Sequence, residues 1–362
     1  MPISKHHYAE ALGQANRVWF LDPPDWSLPL GTIRQRDTGV AGVTRVTWRP
    51  RLLRALRFHA HGLYRHWMGL EVRRLVRRLT SHLDLVWCFD FNTFPDLRAF
   101  GAERAIFHPV DPLTQPRQYA IGRTADLILA VSGQILDSAT SVSPGIARAV
   151  VNHGIGPDFA ALAAKPAADH VPAETIRCGY FGNLDRGTIN AALIAAVVAQ
   201  HPGVSFHFWG PYSPASPLPA ALLGTANCTF HGPTAKPDLV TSAAGMDCFI
   251  LAYRDHAAES DRSNAHKILE YFATGKVVIS TRMNIYTDEP DLMVTSRAVD
   301  DADFPELFST TIGALARHNN QDRQTRRREL ALEHAYPRNI ARIDAMLRDL
   351  ASDDRSEKET MQ

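Results

Sequence analysis

Along nearly the whole chain, short runs of β-forming residues alternate with longer segments of helical periodicity. That alternation constrains the fold most, because it leads to parallel sheets covered by helices. In the first half the expected strands are Arg17–Leu21, Val43–Trp48, Asp84–Phe89, Arg104–His108, Leu127–Val131 and Ala147–Val151, with a long helical stretch over Arg51–Leu79. A break follows at Asn152–Phe159 and continues into the Ala/Pro-rich stretch from Ala160 to Pro172, a linker composition.

A second series then begins. Its expected strands are Thr175–Phe181, Val204–Trp209, Cys228–His231, Met246–Leu251, Val277–Ser280 and Leu292–Thr295, with helices near Ile189–Gln200, Pro217–Leu223, Pro237–Ala243, Ser263–Thr274 and Phe304–His318. Six strands alternating with helices make a doubly wound sheet of the Rossmann kind. The reading is therefore α/β, with a domain over 1–155, a linker over 156–172 and a second domain over 173–322. A helix over 323–350, interrupted at Pro337, is expected to pack back on the first domain, and a charged tail over 351–362 to fray. Two such domains face each other across a cleft at the C-terminal edges of their sheets, where ligands of these folds bind.

The 362 residues carry a formal net charge of +1, which argues against a nucleic-acid footprint. Cys88, Cys178, Cys228 and Cys248 form no CxxC pair and lie in apolar runs, so reduced core thiols are expected. Met1–Glu10 has no apolar signal-peptide core, and no run is long enough to span a bilayer. The expectation is a cytoplasmic protein that, if it works at a membrane, docks on the inner face.

The loops of the second half carry the chemistry. After the first strand comes Gly182-Asn183-Leu184-Asp185-Arg186, where Gly182 admits close backbone approach and Arg186 adds fixed charge. Neither a dinucleotide fingerprint nor a P-loop is present. Gly210 with Tyr212, and His231 with Gly232, place a glycine and a ring after the next two strands; turn chemistry explains them equally well. The fourth loop holds Tyr253, then Ser263 and Asn264 as candidate N-caps. Lys267 and Glu270 follow at i and i+3 on one helix face. A lysine there opposes the helix dipole unless an anion neutralises it. A diphosphate held by Lys267, with Glu270 accepting from ribose hydroxyls, is one reading; a surface Lys–Glu pair is the other.

The run Lys267-Ile-Leu-Glu270-Tyr271-Phe272-Ala273-Thr274-Gly275-Lys276-Val277-Val278 resembles the K-x-x-E-Y-x-A-x-G-K-P-V-V segment of GT-B glycosyltransferases, closest to the group-1 family that uses nucleotide-activated sugars. Ala125–Ser132 resembles its A-D-x-I-x-x-V-S strand, and Val151–Ile155 with Phe159 its x-N-G-V-D-x-x-x-F segment. The resemblance covers roughly residues 84 to 345. It implies that the second half binds a nucleotide sugar, Glu270 contacts the ribose, and Lys267 with Arg186 neutralises the departing diphosphate. It also implies no cofactor and no metal; Asp301-Ala302-Asp303 reads D-x-D but precedes a helix pattern, where acidic N-caps are common. Retaining members carry an earlier glutamate where this chain has Arg262, which leaves the stereochemistry open.

An acceptor base is expected from the first half, at Asp111, His108 or Asp90. Residues 49–79 are rich in arginine and apolar residues, with Glu71 the one acid; they read as a surface for an anionic membrane or acceptor, or as a packed helix with a solvated face. The implied function is sugar transfer onto a glycan or lipid-linked glycan in polysaccharide biosynthesis. The alternatives are a non-catalytic glycosyltransferase-like binding protein and a nucleotide-sugar epimerase of the same fold.

Overall fold

The computed structural model describes residues 4–360, other than 53, 142, 144, 169–170, 172–173, 255–266, 284, 287 and 299; of 116–117 and 353–360 it describes the backbone alone. The chain forms two compact units, one of residues Met1–Asn152 with Asn339–Gln362, the other of His153–Arg338.

In the first unit, β1 (Val18–Leu21) pairs in parallel with β3 (Val43–Trp48), and β2 (Ile33–Asp37) joins β3 antiparallel. β4 (Leu85–Cys88), β5 (Arg104–Phe107), β6 (Leu127–Ala130) and β7 (Ala147–Val150) form a second, all-parallel sheet in that order. β2 is absent from the expected strands because its sequence, Ile-Arg-Gln-Arg-Asp, lacks apolar alternation. Four of its five residues are exposed, as suits an edge strand.

The stretch expected as one helix over 51–79 is instead a single turn, Leu56–His59, followed by helix His61–Leu79. Ala60 leaves the helical region (φ −144, ψ 66), so the long helix starts there without a side-chain cap. Tyr64, Met68, Val72 and Leu75 are its buried stripe. Full burial of each such side chain contributes about 1.5–3 kcal/mol.

In the second unit, β8 (Arg177–Phe181), β9 (Ser205–Trp209), β10 (Cys228–Gly232), β11 (Cys248–Leu251), β12 (Val277–Ser280) and β13 (Met293–Thr295) form one parallel sheet, ordered β10-β9-β8-β11-β12-β13. Counted from β8 this is the order 3-2-1-4-5-6 of the doubly wound fold, and its direction reverses between β8 and β11. Phe181, Phe249 and Tyr271 pack ring against ring under that point, at centroid distances of 4.4 to 5.8 Å. Cys178 and Cys248 face each other in register as free, buried thiols; Cys228 is only half-buried.

Arg327 locks the far side of this sheet. Its fully buried guanidinium donates to the carbonyls of Leu292 (2.8 Å), Gly275 (3.0 Å) and His318 (2.8 Å). The final stretch is two helices, Gln321–Glu333 and Tyr336–Thr360, the break falling ahead of Pro337. Asn339, in the second of them, donates to the Tyr8 hydroxyl and the Asn152 carbonyl, both at 3.2 Å, inside the first unit. The helix runs past residue 350, where fraying was expected.

Candidate functional site

In an open parallel sheet, ligands bind outside the carboxyl ends of the strands, where the strand order reverses. Here that edge is made by the loops after β8 and β11. Gly182 follows β8 with φ +152, and Gly210 follows β9 with φ +137. The two loops touch: a Cβ at Gly210 would lie 1.7 Å from the Gly182 carbonyl oxygen, so no side chain fits there. A Cβ at Gly182 would lie 2.7 Å from Lys267 Nζ, so the missing side chain makes room for the ammonium.

Lys267 opens the helix Lys267–Ala273 that follows β11. Its Nζ donates to the Tyr180 hydroxyl at 2.7 Å and lies 4.3 Å from the centre of that ring and 5.7 Å from that of Tyr253. One turn on, Glu270 is 95% buried at its side chain and accepts from Lys236 Nζ at 2.5 Å. Lys236 opens the helix after β10 and also lies 5.0 Å over the Phe159 ring. Lys267 and Glu270 thus reach different partners, which the surface-pair reading does not describe. Sequence reasoning missed Lys236, although it begins a helix with a cation just as Lys267 does.

The other donor-side candidates divide into two groups. Asn183 holds its own loop, its Oδ1 accepting from Asp185 N–H at 3.0 Å. Asp185 in turn accepts from Ser213 N–H and the Ser216 hydroxyl, each at 2.6 Å, and these bonds keep its carboxyl below the usual range. Arg186 is exposed on this loop. Tyr212 packs on Phe230, centroids 5.3 Å apart. Tyr253 is buried, its N–H donating to Thr281 Oγ1. His231 stacks on Trp209 (4.6 Å) and His207 (5.3 Å) across neighbouring strands, and partial burial lowers its pKa. One face of its ring is therefore already covered. Ser263 and Asn264, with Arg262 and His266, lie outside the described residues.

In the first unit, Asp90 and His108 follow the neighbouring parallel strands β4 and β5 and so share one sheet edge. Asp90 caps its own loop, accepting from Asn92 N–H (2.6 Å), Thr93 N–H (3.0 Å) and the Thr93 hydroxyl (2.5 Å). His108 is buried; its Nδ1 accepts from Trp87 Nε1 at 3.2 Å and its ring stacks on Phe89. That bond leaves the proton of a neutral imidazole on Nε2. Asp111 is exposed on the loop beyond.

No protein-family model matches the sequence, and no curated protein sequence matches it. Solved structures do match. The chain is similar to α,α-trehalose 6-phosphate synthase from Burkholderia multivorans, with 13% identity, 92% of this chain and 90% of that chain covered, and a TM-score of 0.61. It is similar to HepE from Anabaena, solved in complex with UDP and glucose, with 14% identity, 94% and 95% covered, and a TM-score of 0.60. It is similar to WaaG, a glycosyltransferase involved in lipopolysaccharide biosynthesis, with 12% identity, 95% and 96% covered, and a TM-score of 0.60. The fold is GT-B.

Two further features of this GT-B chain engage partners that the sequence alone does not give. Asp303 does not cap its helix with its side chain. It accepts from the Ser296 hydroxyl and Arg297 N–H, while Asp301 accepts from Arg282 N–H at 2.7 Å, so both carboxylates hold backbone turns. Part of the basic stretch is also structural. Arg49 donates to the Trp26 and Leu28 carbonyls, Arg74 donates to Gly31 O, and Arg65 pairs with Asp96 at 3.1 Å. Among the described residues, no helix is long and apolar enough to cross a membrane.

Proposed function

We propose that this chain transfers a sugar from a nucleoside-diphosphate donor onto a glycan or lipid-linked glycan, in the assembly of a polysaccharide. The observation that carries the reading is the Lys267 ammonium beside Gly182, at the edge where the sheet order reverses. Cleaving the bond between anomeric carbon and diphosphate develops negative charge on the leaving oxygens. A cation already in place at that edge stabilises this charge without reorganisation. Arg186 adds a second cation from the same loop.

In this reading the Gly182 and Gly210 loops let a diphosphate approach the backbone, and Glu270 accepts from the ribose hydroxyls while Lys236 holds its other side. The lysine and arginine perform the charge neutralisation that a metal would otherwise provide, so transfer is metal-independent. Asp111, exposed and close after β5, is the first candidate for the base that takes the acceptor proton. His108, which accepts from Trp87 Nε1, and Asp90, which holds its own loop, are the other candidates. We also propose that it works on the inner face of a membrane, where a lipid-linked acceptor is met.

A second reading is a binding protein of the same fold without transferase activity. The Lys236–Glu270 pair favours it, because the carboxylate meant for ribose already has a cationic partner. Incubating the protein with a panel of nucleotide sugars and following nucleoside diphosphate release by mass spectrometry separates the two. Release that is lost in Lys267→Ala supports transfer. Binding of UDP or GDP without release from any donor, acceptors included, supports the second reading.

A further inference from the structure

Four of the eight large apolar side chains that the described residues leave exposed fall within residues 58–70: Phe58 (55%), Leu63 (47%), Trp67 (43%) and Leu70 (47%). Leu63, Trp67 and Leu70 recur at i, i+4 and i+7, so they form one stripe along helix His61–Leu79, turned away from core-facing Tyr64, Met68 and Val72. Arg73, Arg77 and Arg78 are exposed on the next two turns, and Arg54 before the helix. The one acid of this stretch, Glu71, faces inward, accepting from Arg51 N–H and pairing with Arg74. On one flank a cavity of about 410 Å³ is lined by Arg65, Arg73, Arg98, His66 and Asp96, where Arg65 pairs with Asp96 and Arg98 with Asp126.

We propose that this helix docks on an anionic phospholipid bilayer, its Leu63–Trp67–Leu70 stripe entering the headgroup boundary while the arginines meet lipid phosphates. Charge decides the occupant. A second copy in a two-fold dimer would set arginines against arginines, whereas an apolar stripe beside a cationic run matches the interfacial helix of an anionic membrane. The surface extends the transferase reading to the place where a lipid-linked acceptor is met, but it stands on different residues. Each arginine near such a surface raises partition about fivefold. Neutralising three therefore lowers it roughly a hundredfold.

The test is flotation of the full chain with phosphatidylglycerol and phosphatidylcholine vesicles. Expected are recovery with the first, at least about tenfold less with the second, and release in about 1 M salt, where the screening length falls to about 3 Å. The triple variants Leu63→Ser/Trp67→Ser/Leu70→Ser and Arg73→Gln/Arg77→Gln/Arg78→Gln should each lose binding, with wild-type melting checked because all six side chains are exposed. If the apolar triple melts early, the arginine triple alone decides. Equal recovery with both lipids, or an arginine triple that floats like wild type, overturns the proposal. So does a stable dimer that the apolar triple dissolves. UDP and GDP binding measured on the same variants separates this proposal from the donor-site reading: loss of flotation with nucleotide binding intact touches the membrane surface alone.

Discussion

Lys236→Met tests whether the pair with Glu270 is built into the site or decorates it. The Glu270 side chain is 5% exposed and that of Lys236 is 22% exposed. Removing the ammonium leaves a carboxylate almost closed to water. Breaking a buried pair this way costs about 3–5 kcal/mol. The lysine side chain is partly exposed, so water replaces part of the lost interaction and the lower end, about 3 kcal/mol, is expected. For a unit of this size that lowers the melting temperature by about 6–12 °C. Adding Glu270→Gln removes the stranded charge, so the double variant should recover at least half of the loss. Calorimetry of the full chain on the four members of this cycle gives the coupling directly. A shift below about 2 °C in Lys236→Met, or strict additivity in the cycle, would refute the reasoning.

Three more outcomes follow from the second unit. Gly210→Ala places a Cβ 1.7 Å from the Gly182 carbonyl oxygen at a φ of +137, so the β8 and β9 loops must separate. A loss above about 2 kcal/mol in denaturant unfolding, together with weakened nucleotide binding, is expected. Arg327→Met leaves the Leu292, Gly275 and His318 carbonyls without their charged donor. It should cost about 3 kcal/mol or more, read from the same unfolding curves, whereas the exposed Arg77→Met changes little. Burial, then the charges of Arg323 and Arg327, lowers the His318 pKa to about 4. The unfolded chain therefore binds this proton more readily, and stability present above about pH 6.5 is lost as pH falls toward 4. Discounted for solvent screening the loss is about 1–2 kcal/mol, and His318→Gln should flatten it in melting temperatures taken from pH 7 to 4.

Much of the second unit can be read from its residues because its strands are continuous apolar runs. Val277-Val278-Ile279-Ser280 and Cys248-Phe249-Ile250-Leu251 are buried on both faces, as strands of a parallel sheet covered by helices are. Lys267 and Glu270 were legible because helical spacing places them one turn apart. What they touch was not. Tyr180 lies 87 positions from Lys267, and Lys236 lies 34 from Glu270, so only the strand order brings them together. The His231–Trp209–His207 stack likewise depends on the register of β10 against β9. β2 escaped notice because an edge strand can be polar on both faces. The break at Ala60 was hidden by an apolar pattern that continues through it.

The central claim is that the edge holding Gly182, Gly210 and Lys267 receives a nucleoside diphosphate. Isothermal titration of UDP and GDP into wild type and Lys267→Met tests it most directly. A charged hydrogen bond to phosphate contributes about 1.5–3 kcal/mol, so the variant should bind at least about tenfold more weakly at a temperature where both proteins are folded. Equal affinity in the two proteins, or no heat from either nucleotide with the wild type, would contradict the account.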